Sequence, residues 1–258
     1  MKKNPFLNPL VKRARQVRTR LFLGRKTYPV IISQAKLHSA GLFFEVSNPV
    51  EEWRVKELDN ELEFLKTLLD DLKEEDILFD IGACVGLYAI HAAVRCKQVF
   101  AFEPDPGFQQ RIQRNCTLNS VNNIRILPWA VSDRFGRTNL FTGGVAGRSP
   151  SLRDFGQGAS LSVETRSLDE EIHQCRLPRP TIIKMDIEGA EFFALRGMSN
   201  LFSSSCPPRS LFVEIHPSFL RHFDASVKDV LGLIDSAGYQ GVYHVSRDEQ
   251  EHYIFKRA

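Results

Sequence analysis

The stretch that decides the fold is Phe79-Asp80-Ile81-Gly82-Ala83-Cys84-Val85-Gly86. It follows a short apolar run and precedes a helix-like segment near Leu87–Arg95. Glycine in such a turn lets a ligand approach the backbone at the start of a helix. Dinucleotide-binding loops carry glycine at three positions, but here Cys84 and Leu87 occupy the second and third after Gly82. Taken alone, the stretch therefore predicts a strand-to-helix turn, with or without a ligand.

Apolar runs alternate with helix-like segments on both sides of this turn. The runs predict strands at Ile77–Ile81, Gln98–Phe102, Ile124–Leu127, Thr181–Met185 and Leu211–Ile215. The intervening segments predict helices at Leu87–Arg95, Pro106–Leu118, Ala190–Leu201 and Ala225–Ala237. This alternation predicts an α/β fold with a parallel sheet covered on both faces.

Two features flank this pattern. A leucine stripe predicts a helix from about Glu57 to Leu72. The last two runs, Gly241–Val245 and His252–Phe255, predict an antiparallel hairpin at the sheet edge. We therefore predict a domain over residues 57–258, preceded by an extension and lead-in segment over residues 1–56.

Composition limits the class of protein. The 258 residues are 43% hydrophobic and 25% charged, with a net charge of +3, which excludes collagen-like and wholly disordered chains. The five cysteines are odd in number and form no CxxC pair, so we expect free thiols in a reducing compartment, the cytoplasm. No window of 18 apolar residues occurs, so we expect no transmembrane helix.

Residues 1–26 carry nine basic residues and no acid, which leaves residues 27–258 with 25 basic and 31 acidic residues. If residues 9–23 are helical, Leu10, Ala14, Val17 and Leu21 share one face. A basic amphipathic helix can contact anionic lipid peripherally or bind an anionic polymer. A solvated tail, or a helix packed on its own domain, stays open. We expect no specific nucleic-acid partner.

Acidic residues stand where the predicted strands end, and ligands of open α/β sheets bind at that edge. Glu103 ends the second strand 21 residues after Gly82, a spacing that suits hydrogen bonds to a ribose diol. Lys184-Met185-Asp186-Ile187-Glu188-Gly189-Ala190-Glu191 adds three acids. A pyrophosphate would be repelled by Asp80 and Asp186, whereas a cationic sulfonium would be attracted. The charges therefore favour S-adenosylmethionine over a nicotinamide dinucleotide.

Further motifs follow in an order that is more specific than any one of them. They are Val99–Pro104, Asn115, Leu118-Asn119, Trp129–Asp133, Val163–Asp169, Ile183–Glu191, Leu195–Gly197 and Val213–Pro217. Over about residues 57–255 the chain resembles the FkbM-type methyltransferases, a branch of the Rossmann-like, S-adenosylmethionine-dependent enzymes. The resemblance implies a class I methyltransferase fold with a mostly parallel seven-stranded sheet, helices on both faces and a C-terminal antiparallel hairpin.

The resemblance also implies roles for individual residues. Asp80 and Gly82 would hold the amino-acid end of the cofactor, Glu103 its ribose, and Ala130–Asp133 would border the adenine. Asp186 would face the methyl group and the acceptor. The predicted cofactor-binding residues are Asp80, Gly82, Ala83, Cys84, Gly86, Glu103, Pro104, Ala130, Val131 and Asp186.

The predicted catalytic residues are Asp186 and His216, which would share one rim of the sheet. His216 suits a general base, and a structural histidine before Pro217 is the equal alternative. The family usually has asparagine where this chain has Cys84, and a thiol is the poorer hydrogen-bond partner.

These features predict O-methylation of a hydroxyl on a small molecule, sugar or glycan. A non-catalytic S-adenosylmethionine-binding or scaffold protein is the alternative, and a nicotinamide-dependent dehydrogenase fits less well. We assign no metal, although a metal-assisted version stays open. Its ligands would come from Asp186, Glu188, Glu191, Glu214 and His216. The glycine- and serine-rich stretch 142–160 is either a loop that orders over substrate or an idle surface excursion.

Overall fold

The computed structural model describes residues 27–38, 41–58, 61–142, 150–154, 158–247 and 250–257. The basic segment 1–26 lies outside the described residues, and so do residues 143–149 and 155–157 of the predicted loop. The predictions made for these segments therefore stay predictions. Within the described residues, no helix combines the length and apolar character needed to cross a bilayer.

Twelve strands and nine α-helices make up the described part of the chain. The strands are β1 (Val30–Gln34), β2 (Leu42–Val46), β3 (Ile77–Ile81), β4 (Gln98–Phe102), β5 (Ile124–Leu127), β6 (Ala130–Val131), β7 (Gly136–Thr142), β8 (Ala159–Arg166), β9 (Ile182–Met185), β10 (Ser210–Ile215), β11 (Tyr239–Arg247) and β12 (Gln250–Arg257). The helices are α1 (Pro49–Glu57), α2 (Leu62–Asp71), α3 (Leu87–Ala93), α4 (Pro106–Leu118), α5 (Leu168–His173), α6 (Glu191–Arg196), α7 (Ser199–Phe202), α8 (Pro217–Leu220) and α9 (Val227–Ser236).

The main sheet has seven strands in the order β11-β12-β10-β9-β3-β4-β5. Neighbours from β10 to β5 are parallel, while β12 runs antiparallel to both β10 and β11. Every residue of β9 and β10 is buried, as expected for strands covered on both faces. The predicted seven-stranded, mostly parallel sheet and its C-terminal hairpin are confirmed.

Two apolar clusters cover opposite faces of this sheet, because side chains alternate along each strand. Leu78, Val99 and Ile182 belong to one cluster, whereas their neighbours Phe79 and Phe100 belong to the other. Helices α2, α3 and α4 pack on the first face, and α6, α7 and α9 on the second.

The antiparallel pair β1–β2 and helix α1 pack on the first of these faces. Ile32, Phe44 and Val55 all lie in the same apolar cluster as the sheet. The lead-in segment therefore shares a core with the sheet, and the domain boundary at residue 56 stays a prediction.

Two predicted helices are wrong in their extent. The helix expected from about Glu57 to Leu72 begins only at Leu62, as α2. Glu57 is instead the last residue of α1, which Asn48 caps from its side chain and Leu58 ends in a left-handed conformation (φ 48°). The helix expected over Ala190–Leu201 divides at Gly197, where the backbone meets another segment. A Cβ atom there would lie 2.0 Å from the carbonyl oxygen of Ser132.

A second sheet, in the order β6-β8-β7, was not expected from the sequence. Its strand β8 pairs antiparallel with β7 and parallel with β6. β7 and β8 carry many polar, half-exposed residues, so no apolar run marks them. This sheet matters because β6 and Leu140 of β7 line the cleft described next.

Candidate functional site

A cleft opens at the carboxyl ends of β3, β4 and β9, the edge at which open α/β sheets bind ligands. The predicted site residues that line it are Gly82, Cys84, Glu103, Pro104, Ala130, Val131 and Asp186. The others, Asp80, Ala83, Gly86 and His216, are not among its lining residues. One cleft thus brings together seven of the eleven predicted residues, from four separate parts of the chain.

The turn after β3 requires glycine at its first position. Gly82 has a φ of +83°, and a Cβ atom there would lie 1.9 Å from the carbonyl oxygen of Asp186. Cys84 is also left-handed (φ 52°), a conformation that side chains other than asparagine and aspartate rarely adopt. Gly86, at φ +83°, caps α3. The close approach of β3 and β9 thus fixes the floor of the cleft.

Glu103, at the end of β4, is buried and holds the turn after β3 in place. Its Oε2 accepts a 2.8 Å hydrogen bond from the amide of Cys84, and its Oε1 a 2.9 Å bond from the amide of Asp105. Burial raises the pKa of Glu103 to about 8, although these two hydrogen bonds oppose the shift. A carboxylate oxygen accepts more than one hydrogen bond, so each oxygen of Glu103 keeps further acceptor capacity.

Asp80 is fully buried and forms an ion pair with Lys184. Asp80 Oδ1 lies 3.1 Å from Lys184 Nζ, and the same Nζ donates a 3.1 Å hydrogen bond to the carbonyl of Gly82. Burial lowers the pKa of Lys184, but the charges of Asp80 and Asp186 outweigh it and raise the pKa. The pair therefore supports the turn after β3, and the predicted contact of Asp80 with a cofactor stays a prediction.

His216 lies buried among four carboxylates. Its Nδ1 is 2.9 Å from Oε1 of Glu191, at hydrogen-bond distance. Its Nε2 is 3.5 Å from Glu214, 3.6 Å from Glu188 and 3.7 Å from Asp186, measured to one oxygen of each. Burial lowers the pKa of His216, but the hydrogen bonds with Glu191 and Glu214 outweigh it and raise the pKa well above its ordinary value.

Asp186 connects this buried cluster to the cleft, because its side chain is 29% exposed and lines the cleft wall. Burial and the nearby charge of Glu214 raise its pKa well above the ordinary range. The next acid, Glu188, also lines the cleft and has a left-handed backbone (φ 51°) before Gly189 (φ +99°). This tight turn after β9 presents Asp186 and Glu188 side by side.

The outer wall of the cleft was only partly expected from the sequence. Leu140, Pro150 and Leu152 line it together with Trp129, whose ring centroid lies 4.9 Å from that of Phe102. Leu140 belongs to the unpredicted second sheet and was missed, whereas Pro150 and Leu152 lie in the described part of the stretch 142–160 that the sequence singled out. Arg54 of α1 is close enough to Asp186 and Glu188 to feel their charge. Burial lowers the pKa of Arg54, but nearby anionic groups, including these two acids, raise it overall.

The FkbM methyltransferase domain model matches residues 80–240, more than half of the chain, and begins at Asp80. The chain belongs to the FkbM methyltransferase family. The crystal structure of the FkbM methyltransferase from Methylobacillus flagellatus aligns with a TM-score of 0.51 at 21% identity, over 74% of this chain. It supports the Rossmann-like fold, and this chain spans less than half (46%) of that protein.

Two curated proteins that are similar to this chain have names that state an activity. The hexuronic acid methyltransferase AglP of Haloferax volcanii is 28% identical over 207 residues, covering 80% of this chain and 81% of the relative. The 2-O-methyltransferase NoeI of Sinorhizobium fredii is 28% identical over 182 residues, covering 64% of this chain and 73% of the relative. The predicted family is thus confirmed.

Proposed function

We propose that the protein is an S-adenosylmethionine-dependent methyltransferase that methylates a hydroxyl group of a sugar or another small molecule. The observation that carries the proposal is that Glu103 and Asp186 line one cleft, at the ends of β4 and β9 on either side of β3. We assign Glu103 to the cofactor ribose and Asp186 to the acceptor. Family membership and the names of the two relatives support the same reaction class.

The residues of the cleft fit this cofactor chemically. Glu103 offers acceptor positions to a ribose diol, and the apolar wall that includes Trp129, Val131 and Leu140 suits an adenine ring. The amino-acid end would lie against the turn at Gly82 and Cys84. Acidic residues at the other end, including Asp186, favour a cationic ligand over a pyrophosphate.

Bound S-adenosylmethionine supplies a methyl group that is already activated by its positive sulfur. The protein must therefore mainly align the acceptor oxygen and remove its proton. We assign proton removal to Asp186, because its carboxylate is the predicted catalytic group that reaches the cleft. His216 is buried behind it and tied to Glu191, so we assign it the role of a positioning residue.

Isothermal titration with S-adenosylmethionine and S-adenosylhomocysteine tests the cofactor half of the proposal. We expect micromolar binding by the wild type and a loss of more than tenfold in Glu103→Ala, equivalent to about 1.4 kcal/mol or more. Glu74→Ala, which changes an exposed glutamate outside the cleft, is the matched control and should bind as the wild type does. No binding by the folded wild type would refute the proposal.

A screen of acceptors, beginning with hexuronic acids and other sugars, tests the transfer itself. The readout is S-adenosylhomocysteine formed together with a methylated product. We expect turnover by the wild type and a loss of at least a hundredfold in kcat for Asp186→Asn, because a positioned base contributes about 10²–10⁴-fold. Cofactor binding with no turnover on any acceptor would favour the alternative of a non-catalytic binding protein.

A further inference from the structure

The cluster behind the cleft contains a histidine in the geometry of a metal ligand. Metal-bound histidines almost always donate their second ring N–H to a carboxylate or carbonyl, which fixes the direction of the ligating nitrogen. His216 has this arrangement: its Nδ1 meets Oε1 of Glu191 at 2.9 Å, and its Nε2 faces the carboxylates of Asp186 and Glu188. The ring is 3% exposed, so this orientation is held by packing.

Two carboxylates near Nε2, those of Asp186 and Glu188, lie at the distances of neighbouring ligands rather than of hydrogen bonds, and the amide nitrogen of Gln250 lies 3.4 Å from the same Nε2. Nε2 lies 3.6 Å from Glu188 Oε2 and 3.7 Å from Asp186 Oδ1, beyond the 2.7–3.2 Å range typical of an N–H···O bond. All three atoms lie within 4.8 Å of one another. Ligands that share one cation through bonds of about 2.0–2.4 Å are separated by up to about 4–5 Å.

Further acidic side chains lie close to His216. Glu191 is fully buried, and its second oxygen, Oε2, has no hydrogen-bond partner within the part of the chain that the structure describes. A buried carboxylate oxygen without a partner is costly unless positive charge lies near. Glu214 adds a further acid 3.5 Å from His216 Nε2.

We propose that Asp186, Glu188 and His216 bind one divalent transition-metal cation, which in turn binds two neighbouring oxygens of the sugar acceptor. A site of imidazole and carboxylate ligands suits Mn²⁺, Fe²⁺ or Zn²⁺ better than Mg²⁺, which prefers oxygen ligands alone. Three protein ligands leave positions open on an octahedral cation, and Asp186 and Glu188 face the cleft where those positions would lie. The assignment to the acceptor rests on the proposed function, whereas the metal site itself does not.

The substrate class follows from this geometry. A sugar with two adjacent hydroxyls, or with a hydroxyl beside a carboxylate, can bind the cation through both oxygens and present one of them to the methyl donor. Asp186 would use Oδ1 for the cation and keep Oδ2 for the acceptor proton. An acceptor with a single isolated hydroxyl would bind more weakly.

Titration of the chelator-treated full-length protein with Mn²⁺, followed by calorimetry and electron paramagnetic resonance, tests the site. We expect one bound Mn²⁺ per chain, with affinity lowered at least tenfold in His216→Ala and in Glu188→Gln. His244→Gln is the matched control: His244 is half-exposed and lies 3.5 Å from Glu251, outside the cluster, and its loss should leave the Mn²⁺ affinity unchanged. Circular dichroism establishes that each variant is folded.

Failure of the metal site and failure of the proposed function are distinguishable on the same samples. Wild type that binds S-adenosylhomocysteine but not Mn²⁺ at 1 mM overturns the metal site and leaves the methyltransferase proposal standing. If the wild type binds Mn²⁺ but neither S-adenosylmethionine nor S-adenosylhomocysteine, the proposed function is overturned and the metal site still stands. Mn²⁺ binding that survives both His216→Ala and Glu188→Gln overturns the assignment of these ligands.

Discussion

The Cβ position of Gly82 lies 1.9 Å from the carbonyl oxygen of Asp186, so the first turn of the sheet and the end of β9 are in direct backbone contact. Any side chain at residue 82 must push the two segments apart. Since Asp186 is itself one partner in this contact and Glu103 follows β4 on the other side of β3, the distance between the two acids depends on a residue that carries no functional group.

Gly82→Ala is therefore expected to lower the free energy of unfolding by about 3 kcal/mol and to abolish cofactor binding, because it combines overpacking with a strained positive φ. Gly232→Ala is the matched control. Gly232 lies in α9 with nothing within 4 Å of its Cβ position, so alanine should stabilise the fold by about 0.5–1 kcal/mol. Urea unfolding followed by circular dichroism measures both, and equal effects would contradict this account.

Cys84 has a left-handed backbone in the cleft, which explains why asparagine would suit the position. We expect Cys84→Asn to raise the free energy of unfolding by about 0.5–1 kcal/mol and to tighten S-adenosylhomocysteine binding about threefold, through an added hydrogen bond. Cys175 is left-handed too, but exposed and outside the cleft. Cys175→Asn should raise the free energy of unfolding without changing the affinity for S-adenosylhomocysteine. A change of affinity in this variant would contradict the role assigned to residue 84.

Glu103 predicts a pH dependence of cofactor affinity. Burial raises its pKa to about 8 in the free protein, so below pH 8 the carboxyl is mostly protonated. A ribose diol that donates hydrogen bonds favours the carboxylate, so binding releases a proton and tightens as the pH rises. We expect the Kd for S-adenosylhomocysteine to fall about tenfold from pH 6.5 to 8.5 and then to level off.

Glu103→Gln is the control for this dependence, because it removes the titrating group and keeps the size of the side chain. Changes in the protonation of S-adenosylhomocysteine itself affect the wild type and Glu103→Gln equally, so they cancel in the ratio of the two Kd values. A ratio that does not change with pH would show that Glu103 does not titrate in this range.

The sequence predicted the centre of the sheet because strands buried on both faces appear as short apolar runs. β3, β4 and β5 have the predicted bounds. It could not predict β7 and β8, because half-exposed strands such as Ala159–Arg166 carry polar residues with no continuous apolar run. The leucine pattern also passed through Leu58, where backbone conformation rather than hydrophobicity ends α1.

The site shows the same division. Glu103 and Asp186 were predictable because they directly follow apolar runs, and parallel strands bring their ends to one edge. Leu140 was not, because it reaches the cleft only through the packing of the second sheet, whereas Pro150 and Leu152 lie in the stretch 142–160 that the composition had marked. The position of Arg54 could not be predicted either, because α1 brings it near Asp186 and Glu188 and no local sequence pattern indicates this proximity.

At the amino-terminal ends of the strands, opposite the cleft, an ion pair joins the segment before β3 to the start of β10. Both terminal nitrogens of Arg209 lie 2.6 Å from the oxygens of buried Asp76, and one of them also donates to the carbonyl of Asp71. Burial alone raises the pKa of Asp76, but the hydrogen bonds from Arg209 and from the Lys73 amide outweigh it and lower the pKa.

Asp76→Asn should therefore lower the free energy of unfolding by about 2–3 kcal/mol at pH 7, since hydrogen bonds to a buried charge are lost. A lowered folded-state pKa means that the stabilisation is present above the unfolded-state pKa of about 3.9 and is lost as the pH falls through the folded-state value. The difference from wild type should thus be constant from pH 5 to 8 and shrink below about pH 4. Asp70→Asn, on the exposed side of α2, should change stability by less than about 0.5 kcal/mol throughout. An equal loss in both variants would mean that net charge, rather than the Arg209 pair, stabilises this edge.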